Sequence, residues 1–321
     1  MACSRTFNRS VTRRGLLLFA AMCVIWGIPY LLIRVAVGEI SPATLVFLRT
    51  FLALLILLPF ALRRGGWRDL VARWPALLLF SAVEVGGPWF FLSSAEQHIS
   101  SALAGLLISA VPLVGVVIAT AGGNREHLGL TSVSGLLLGV AGVGLIVGLD
   151  LRATDLGALI EVGLVVIGYA AGPAVLTRYL AGVPSLTVNS AVLALCAIAY
   201  APAAALTWPS SVPSPQVFGA VGVLAVVCTA IAFLLFFALI AEIGPVRATV
   251  ITYVNPAVAA TLGVLVLHES FNVGMGIGFV LVLAGSALAT RRGKPPAEPE
   301  PRAAEAPSVG EFVNSGSSTT E

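Results

Sequence analysis

Glu84 is the residue whose type and position most need a chemical reason. It stands nine residues into the apolar run Pro75–Ser94. In a helix rising about 1.5 Å per residue it lies roughly 13 Å deep, near the middle of a hydrocarbon core about 30 Å thick. A charge there costs about 2.5–3.5 kcal/mol. The side chain must therefore face a wet cavity, meet a partner, or carry a proton because its charged form loses hydration. A proton-coupling site or a site for a substrate ammonium would use it; a protonated, hydrogen-bonded structural glutamate is the plainer alternative. Arg49 sits inside the preceding apolar run, Pro42–Leu62. It could hold a substrate carboxylate, form a structural ion pair, or snorkel to the interface.

Other candidates are uncharged. Trp26 and Trp89 could stack on a substrate, and Tyr30 and Tyr169 are further aromatics within apolar runs. Packing and interfacial anchoring compete with that reading. Ser109, Thr252, Tyr253 and Asn255 flank Pro112 and Pro256, where a missing backbone donor can kink a helix and open a cavity wall. Polar contacts between helices, worth about 1 kcal/mol each, account for these residues equally well. His98, His127 and His268 have no metal-ligand spacing, and the four cysteines make neither a CxxC pair nor a disulfide framework. No cofactor, metal or nucleic-acid partner is expected.

The elements that must position these residues follow from composition. Of the 321 residues 58% are hydrophobic and 10% charged, against about 25% charged in a soluble domain. That is too little polar surface to wet a globule of this size. Apolar runs of roughly 20 residues recur, each long enough to span a bilayer, and spans in lipid must be helices because no water is there to bond the backbone. Ten spans are expected, from Leu16–Val37 to Val273–Ala289. With the N-terminus in the cytoplasm, 15 of the 18 lysines and arginines fall on the cytoplasmic side, so both termini are expected there. Arg13-Arg14 ahead of Leu16–Ala21 resembles a signal peptide, but the apolar stretch runs too long for one. Residues 1–15 and 291–321 read as cytoplasmic tails, the latter disordered because its Pro, Glu, Ala and Ser cannot bury a core.

The chain also repeats itself. Ala104 and Ala248, and Pro112 and Pro256, match at an offset of 144. Glu126 and Glu269, Gly135 and Gly278, and Gly142 and Gly285 match at 143. Pro29 with Pro173 and Arg34 with Arg178 share the 144 offset. The repeats are expected at 16–149 and 156–290. Five spans per repeat is an odd number, so the second repeat enters the membrane from the opposite side, a plan that lets two halves rock about a central site. The small-residue runs Gly135-xxx-Gly139, Gly144-xxx-Gly148 and Gly274-xxx-Gly278 read as close packing, within the bundle or between the protomers of a homodimer.

Trp26-Gly27, Ser41-Pro42 followed by Arg49, and the duplicated Pro…Glu unit after spans four and nine resemble the EamA family of the drug/metabolite transporter superfamily. The resemblance covers about residues 15–291. It implies an all-α membrane protein of ten transmembrane helices in two inverted five-helix repeats that exports or takes up small metabolites, often amino acids or related compounds. The chain departs from the family at Glu84, where small or apolar residues are usual, and at Arg125-Glu126, a pair in reversed order. A secondary transporter in the plasma membrane, an exporter of small organic metabolites such as amino acids or related compounds as the resemblance implies, is the leading reading, with protons as a candidate coupling ion. A passive facilitator is the second. An intramembrane enzyme would need clustered Asp, His or Lys in the spans, which hold almost none, and a scaffold needs no inverted duplication.

Overall fold

The computed structural model describes residues 12–121, 130–148, 155–248 and 250–290. Ten long helices follow one another, with no strand among the described residues. They are α1 (Arg13–Ala36), α2 (Pro42–Arg64), α3 (Trp74–Ala95), α4 (Ser101–Ala121), α5 (Leu130–Val147), α6 (Leu156–Tyr179), α7 (Ser185–Leu206), α8 (Pro215–Ile243), α9 (Ile251–Leu267) and α10 (Val273–Ala289). The first eight are long and apolar enough to cross a membrane, and the last two are shorter apolar helices. Exposed Leu55, Leu137, Val140, Ile198 and Leu265 give the bundle an apolar exterior suited to lipid. The ninth span, expected from Val246, is divided instead: a short helix Pro245–Ala248 precedes Ile251–Leu267. Arg125, Glu126, residues 1–11 and residues 291–321 lie outside the described residues, and the first helix begins at Arg13, inside the stretch expected as an N-terminal tail, because Thr12 caps it by accepting from Gly15 N.

Helix contacts follow the repeat. Helix α5 packs on α10, α2 on α7, and α4 on α9; α1 packs on α8 as α6 packs on α3. The α5–α10 crossing is made by the glycines that mark the repeat. A Cβ on Gly142 would come within 2.7 Å of Gly278 O and 2.8 Å of Val282 N, and one on Gly135 within 2.7 Å of Gly285 O. Backbone meets backbone there, which only glycine permits.

Two departures from α-geometry are also repeat-related. Ser81–Gly86 in α3 and Val226–Ile231 in α8 are π-helical turns of 6 residues each. Glu84 and Thr229 occupy the same place in the two turns. The prolines, by contrast, act differently in the two copies. Helix α1 is interrupted over residues 26–28 ahead of Pro29, and α4 at Ser109 and Ala110 ahead of Pro112. Helix α6 runs through Pro173 and α9 through Pro256 without a break.

Polar contacts tie the loops at both ends of the bundle. At the end where residues 12 and 290 emerge (the terminal face), Thr12 bonds Glu242, Arg73 donates to the carbonyls of Tyr179 and Ala181, and Thr187 donates to Gly65 O. At the far face Ser41 bonds Thr207, Ser94 donates to Glu161 at 2.8 Å, and Glu39 accepts from both N and Oγ of Ser214 at 2.6 Å.

These packings give two expectations. Gly142→Leu drives a side chain into the α10 backbone and should lower thermal stability in detergent by about 1–3 kcal/mol or abolish folding. Gly144→Ala, with nothing within 4 Å of its Cβ, should leave it unchanged. The two Ser214 hydrogen bonds hold the exposed Glu39 carboxylate below its ordinary value. A depressed folded-state pKa stabilises above the unfolded value and is lost as pH falls through the folded one. Wild type should therefore exceed Glu39→Gln in melting temperature at pH 7, and the difference should shrink as pH falls below the ordinary glutamate value of about 4.3 and disappear below the lowered folded-state value.

Candidate functional site

The centre of the bundle is organised around Arg49 of α2. Its side chain is 6% exposed. The guanidinium carbon lies 3.6 Å from the centroid of the Trp89 ring of α3, a cation–π contact. Its Nε donates to Thr229 Oγ1 of α8 at 3.0 Å. Thr229 Oγ1 in turn donates to Leu224 O at 2.8 Å, five residues back. The π turn of α8 thus orients the hydroxyl so that its oxygen is presented to Arg49. In the π turn of α3, Gly86 O accepts from the Tyr200 hydroxyl of α7 at 2.9 Å. A widened turn leaves carbonyls short of helical partners, and in lipid a side chain must supply them.

Tyr30 of α1, Tyr169 of α6, Cys228 of α8 and Glu96 interact electrostatically with Arg49. Among the described residues no carboxylate lies within ion-pair distance of its guanidinium. Glu84 faces α6 instead. Its Oε2 is sealed from solvent and has no hydrogen-bond partner. A Cβ on Gly172 would fall 1.7 Å from that oxygen, and one on Gly168 would fall 2.4 Å from Val83 O. Gly168 and Gly172 therefore form a trough in α6 that receives the π turn. Tyr169, between them in sequence, is in electrostatic reach of both Glu84 and Arg49.

Glu96 is the residue that reading the sequence missed. Its place past the end of a span marks it as a loop residue, yet it is 0% exposed and both carboxylate oxygens lack a partner. Its carbonyl accepts from Arg34 Nη1 of α1, and its carboxyl interacts electrostatically with Glu269, Arg34 and Arg49. It stands between the central arginine and the far face. Trp89, Ser93 and Glu96 have helical spacing for one face, and that was the available signal. Glu269, from the duplicated Pro…Glu unit, accepts from Ser101 N at 2.8 Å, Ala102 N at 2.9 Å and Ser101 Oγ at 3.0 Å. It caps α4, where a carboxylate meets the orphan N–H groups and the positive end of the helix dipole.

Of the sequence candidates, Tyr30, Arg49, Glu84, Trp89 and Tyr169 come together around this centre. The others lie elsewhere. Trp26 sits in the break of α1 with its ring 4.7 Å from that of Phe236. Asn255, with its amide turned so that Nδ2 donates, bonds Ile251 O at 2.9 Å and Cys23 O at 3.1 Å, tying α9 to α1. Ser109 is buried and donates to Leu106 O inside the break of α4. Thr252 is exposed and Tyr253 half-buried. Pro112 follows the α4 break, and Pro256 lies inside α9.

A bundle of apolar helices in two symmetric sets, with charged side chains at its centre, is a multi-pass membrane protein. The model of the EamA-like transporter family matches residues 13–148 and 157–291, and the chain belongs to that family. It is 28% identical over 257 residues to the uncharacterized inner membrane transporter YedA of Escherichia coli, covering 76% of this chain and 79% of that one. It is 23% identical over 291 residues to the uncharacterized transporter YvbV of Bacillus subtilis, covering 88% of this chain and 93% of that one. A solved crystal structure superposes with a TM-score of 0.61 at 23% identity, covering 86% of this chain and 96% of the other, which establishes the shared fold. The protein thus takes part in the membrane transport of small molecules.

Gly172→Ala tests the Glu84 trough. It should destabilise by about 1–3 kcal/mol, because the new Cβ overlaps a side chain held on a helix. Adding Glu84→Ala should restore most of that loss in a double-mutant cycle, while equal losses in both backgrounds would mean that the two residues do not compete for space.

Proposed function

We propose that the chain is a secondary transporter that exports small organic metabolites, amino acids or related compounds, across the plasma membrane by alternating access, with protons as the coupling ion and both termini cytoplasmic. The carrying observation is the different state of two repeat-related arginines. Arg34 at the far face is half-buried and donates to Glu96 O, while Gln97 donates to Val37 O, so α1 is latched to the end of α3. Arg178 at the terminal face is exposed and rests against the Tyr179 ring at 5.4 Å, with no bond to α8 among the described residues. Symmetric helices held at one end and not at the other suit a carrier whose halves move in turn; the α1–α3 contacts lie on the wall of a far-face cavity lined by Arg34, Gln97, His98 and Glu269. The bias of basic residues supports assigning the terminal face to the cytoplasm.

Glu84 and Glu96 support proton coupling. Glu96 has both carboxylate oxygens sealed without partners and half-buried Glu84 has one, and an ionised carboxylate loses much of its hydration in such a place. Each is a natural place to load a proton in one state and release it in another.

Uptake of pooled labelled amino acids into proteoliposomes, with and without an imposed pH gradient, tests this function. Saturable uptake raised by the gradient is expected. Uptake indifferent to the gradient would make the protein a facilitator. Glu84→Gln should retain exchange and lose gradient-driven accumulation. In a background lacking native cysteines, a disulfide between Val37→Cys and Gln97→Cys should stop transport, and reductant should restore it. Undiminished transport in the cross-linked protein would rule out opening of the α1–α3 latch.

A further inference from the structure

Arg49 is a buried cation that the protein satisfies only in part. A guanidinium carries five N–H donors in a planar fork. Nε spends one on Thr229, and Trp89 covers one face. Nη1 and Nη2 carry the other four and bond to no described residue. Neither is among the polar atoms sealed without a partner, so both open onto space within the bundle. The Tyr30 hydroxyl shares this condition, with no described hydrogen-bond partner and no seal from the interior space, whereas the Tyr169 oxygen accepts from the Trp89 indole and keeps its own O–H to donate. Leaving a buried guanidinium without a contacting anion costs several kcal/mol. Here a π turn, a threonine and an indole hold that cation in one orientation with its fork free.

We propose that Arg49 Nη1 and Nη2, flanked by the Tyr30 and Tyr169 hydroxyls, form an anion subsite that takes the carboxylate of the transported molecule, so that a carboxylate is a requirement for being a substrate. This rests on the transport reading and narrows it. A fork with two free nitrogens fits the two oxygens of a carboxylate in parallel hydrogen bonds. One guanidinium supplies one positive charge, and the Glu96 carboxyl stands within electrostatic reach of it. A monoanionic group suits that balance better than a dianionic phosphate. Trp89 and the apolar walls leave the rest of the ligand selected by shape.

Solute counterflow in proteoliposomes tests the subsite without needing a driving force. The probes are labelled L-leucine, L-phenylalanine, L-threonine and L-lactate, the amide of each, phenethylamine as a cation, and glycerol 3-phosphate as a dianion. At least one acid should exchange, and its amide should exchange about tenfold less well or worse, the value of a lost charge-assisted hydrogen bond. Arg49→Gln should bring acid and amide to parity. Arg49→Lys, which keeps the charge and loses the fork, should fall between. Thr229→Ala should keep the acid preference with reduced rate. Exchange of acid and amide alike in wild type, or exchange confined to phenethylamine, an amide or glycerol 3-phosphate, would overturn the subsite and leave the transport reading standing. No exchange of any probe by folded wild-type protein would overturn the transport reading itself. If neither Arg49 variant folds, while wild type also treats acid and amide alike, Arg49 is a structural cation only.

Discussion

The constraint on which this structure depends is that a hydrocarbon core offers the backbone no hydrogen bonds. It forces ten helices and makes every deviation from α-geometry answerable to a side chain. The two π turns show the consequence. Gly86 O is taken by Tyr200 and Leu224 O by Thr229. The second of these also aims a hydroxyl oxygen at Arg49, so a repair of the backbone becomes a support for the central charge. The same turn in the first repeat carries Glu84 at the equivalent place. Duplication placed one acidic and one hydroxyl side chain at matching points on opposite sides of the bundle.

Close approach is the second requirement. Without a hydrophobic drive between helices already in lipid, association depends on van der Waals contact and on small residues that allow it. The glycines of α5 and α10 meet crosswise, Gly142 against Gly278 and Gly135 against Gly285, and Gly168 and Gly172 of α6 seat the π turn of α3. The first set builds the scaffold. The second sets the depth at which a carboxyl enters the interior.

The two repeats are alike in sequence order and unlike in execution. The prolines of α1 and α4 follow breaks, and those of α6 and α9 lie within continuous helix. Arg34 is latched to α3, and Arg178 is not latched to α8. Glu96 connects the latch to the centre, through its carbonyl to Arg34 and through its carboxyl to the field of Arg49.

The all-helical class, the ten spans and the duplication were legible in the chain because they rest on apolar length and on a repeated order of glycine, proline and acidic residues. Glu84 and Arg49 also stood out, since a charge within an apolar run is visible without any structure. Which charges meet was not legible. Arg49 and Glu84 lie on neighbouring runs, yet one turns to Thr229 and Trp89 and the other to Gly172. Trp26 and Asn255 were as plausible as Tyr30 and Tyr169, and packing sent them to Phe236 and Cys23. Nor could span length reveal that Glu96, beyond a helix end, is wholly enclosed by α1 and its neighbours. Local sequence sets how far a helix runs and what it carries; only the rotation of each helix about its axis, decided by contacts between segments far apart in the chain, determines which side chains share a site.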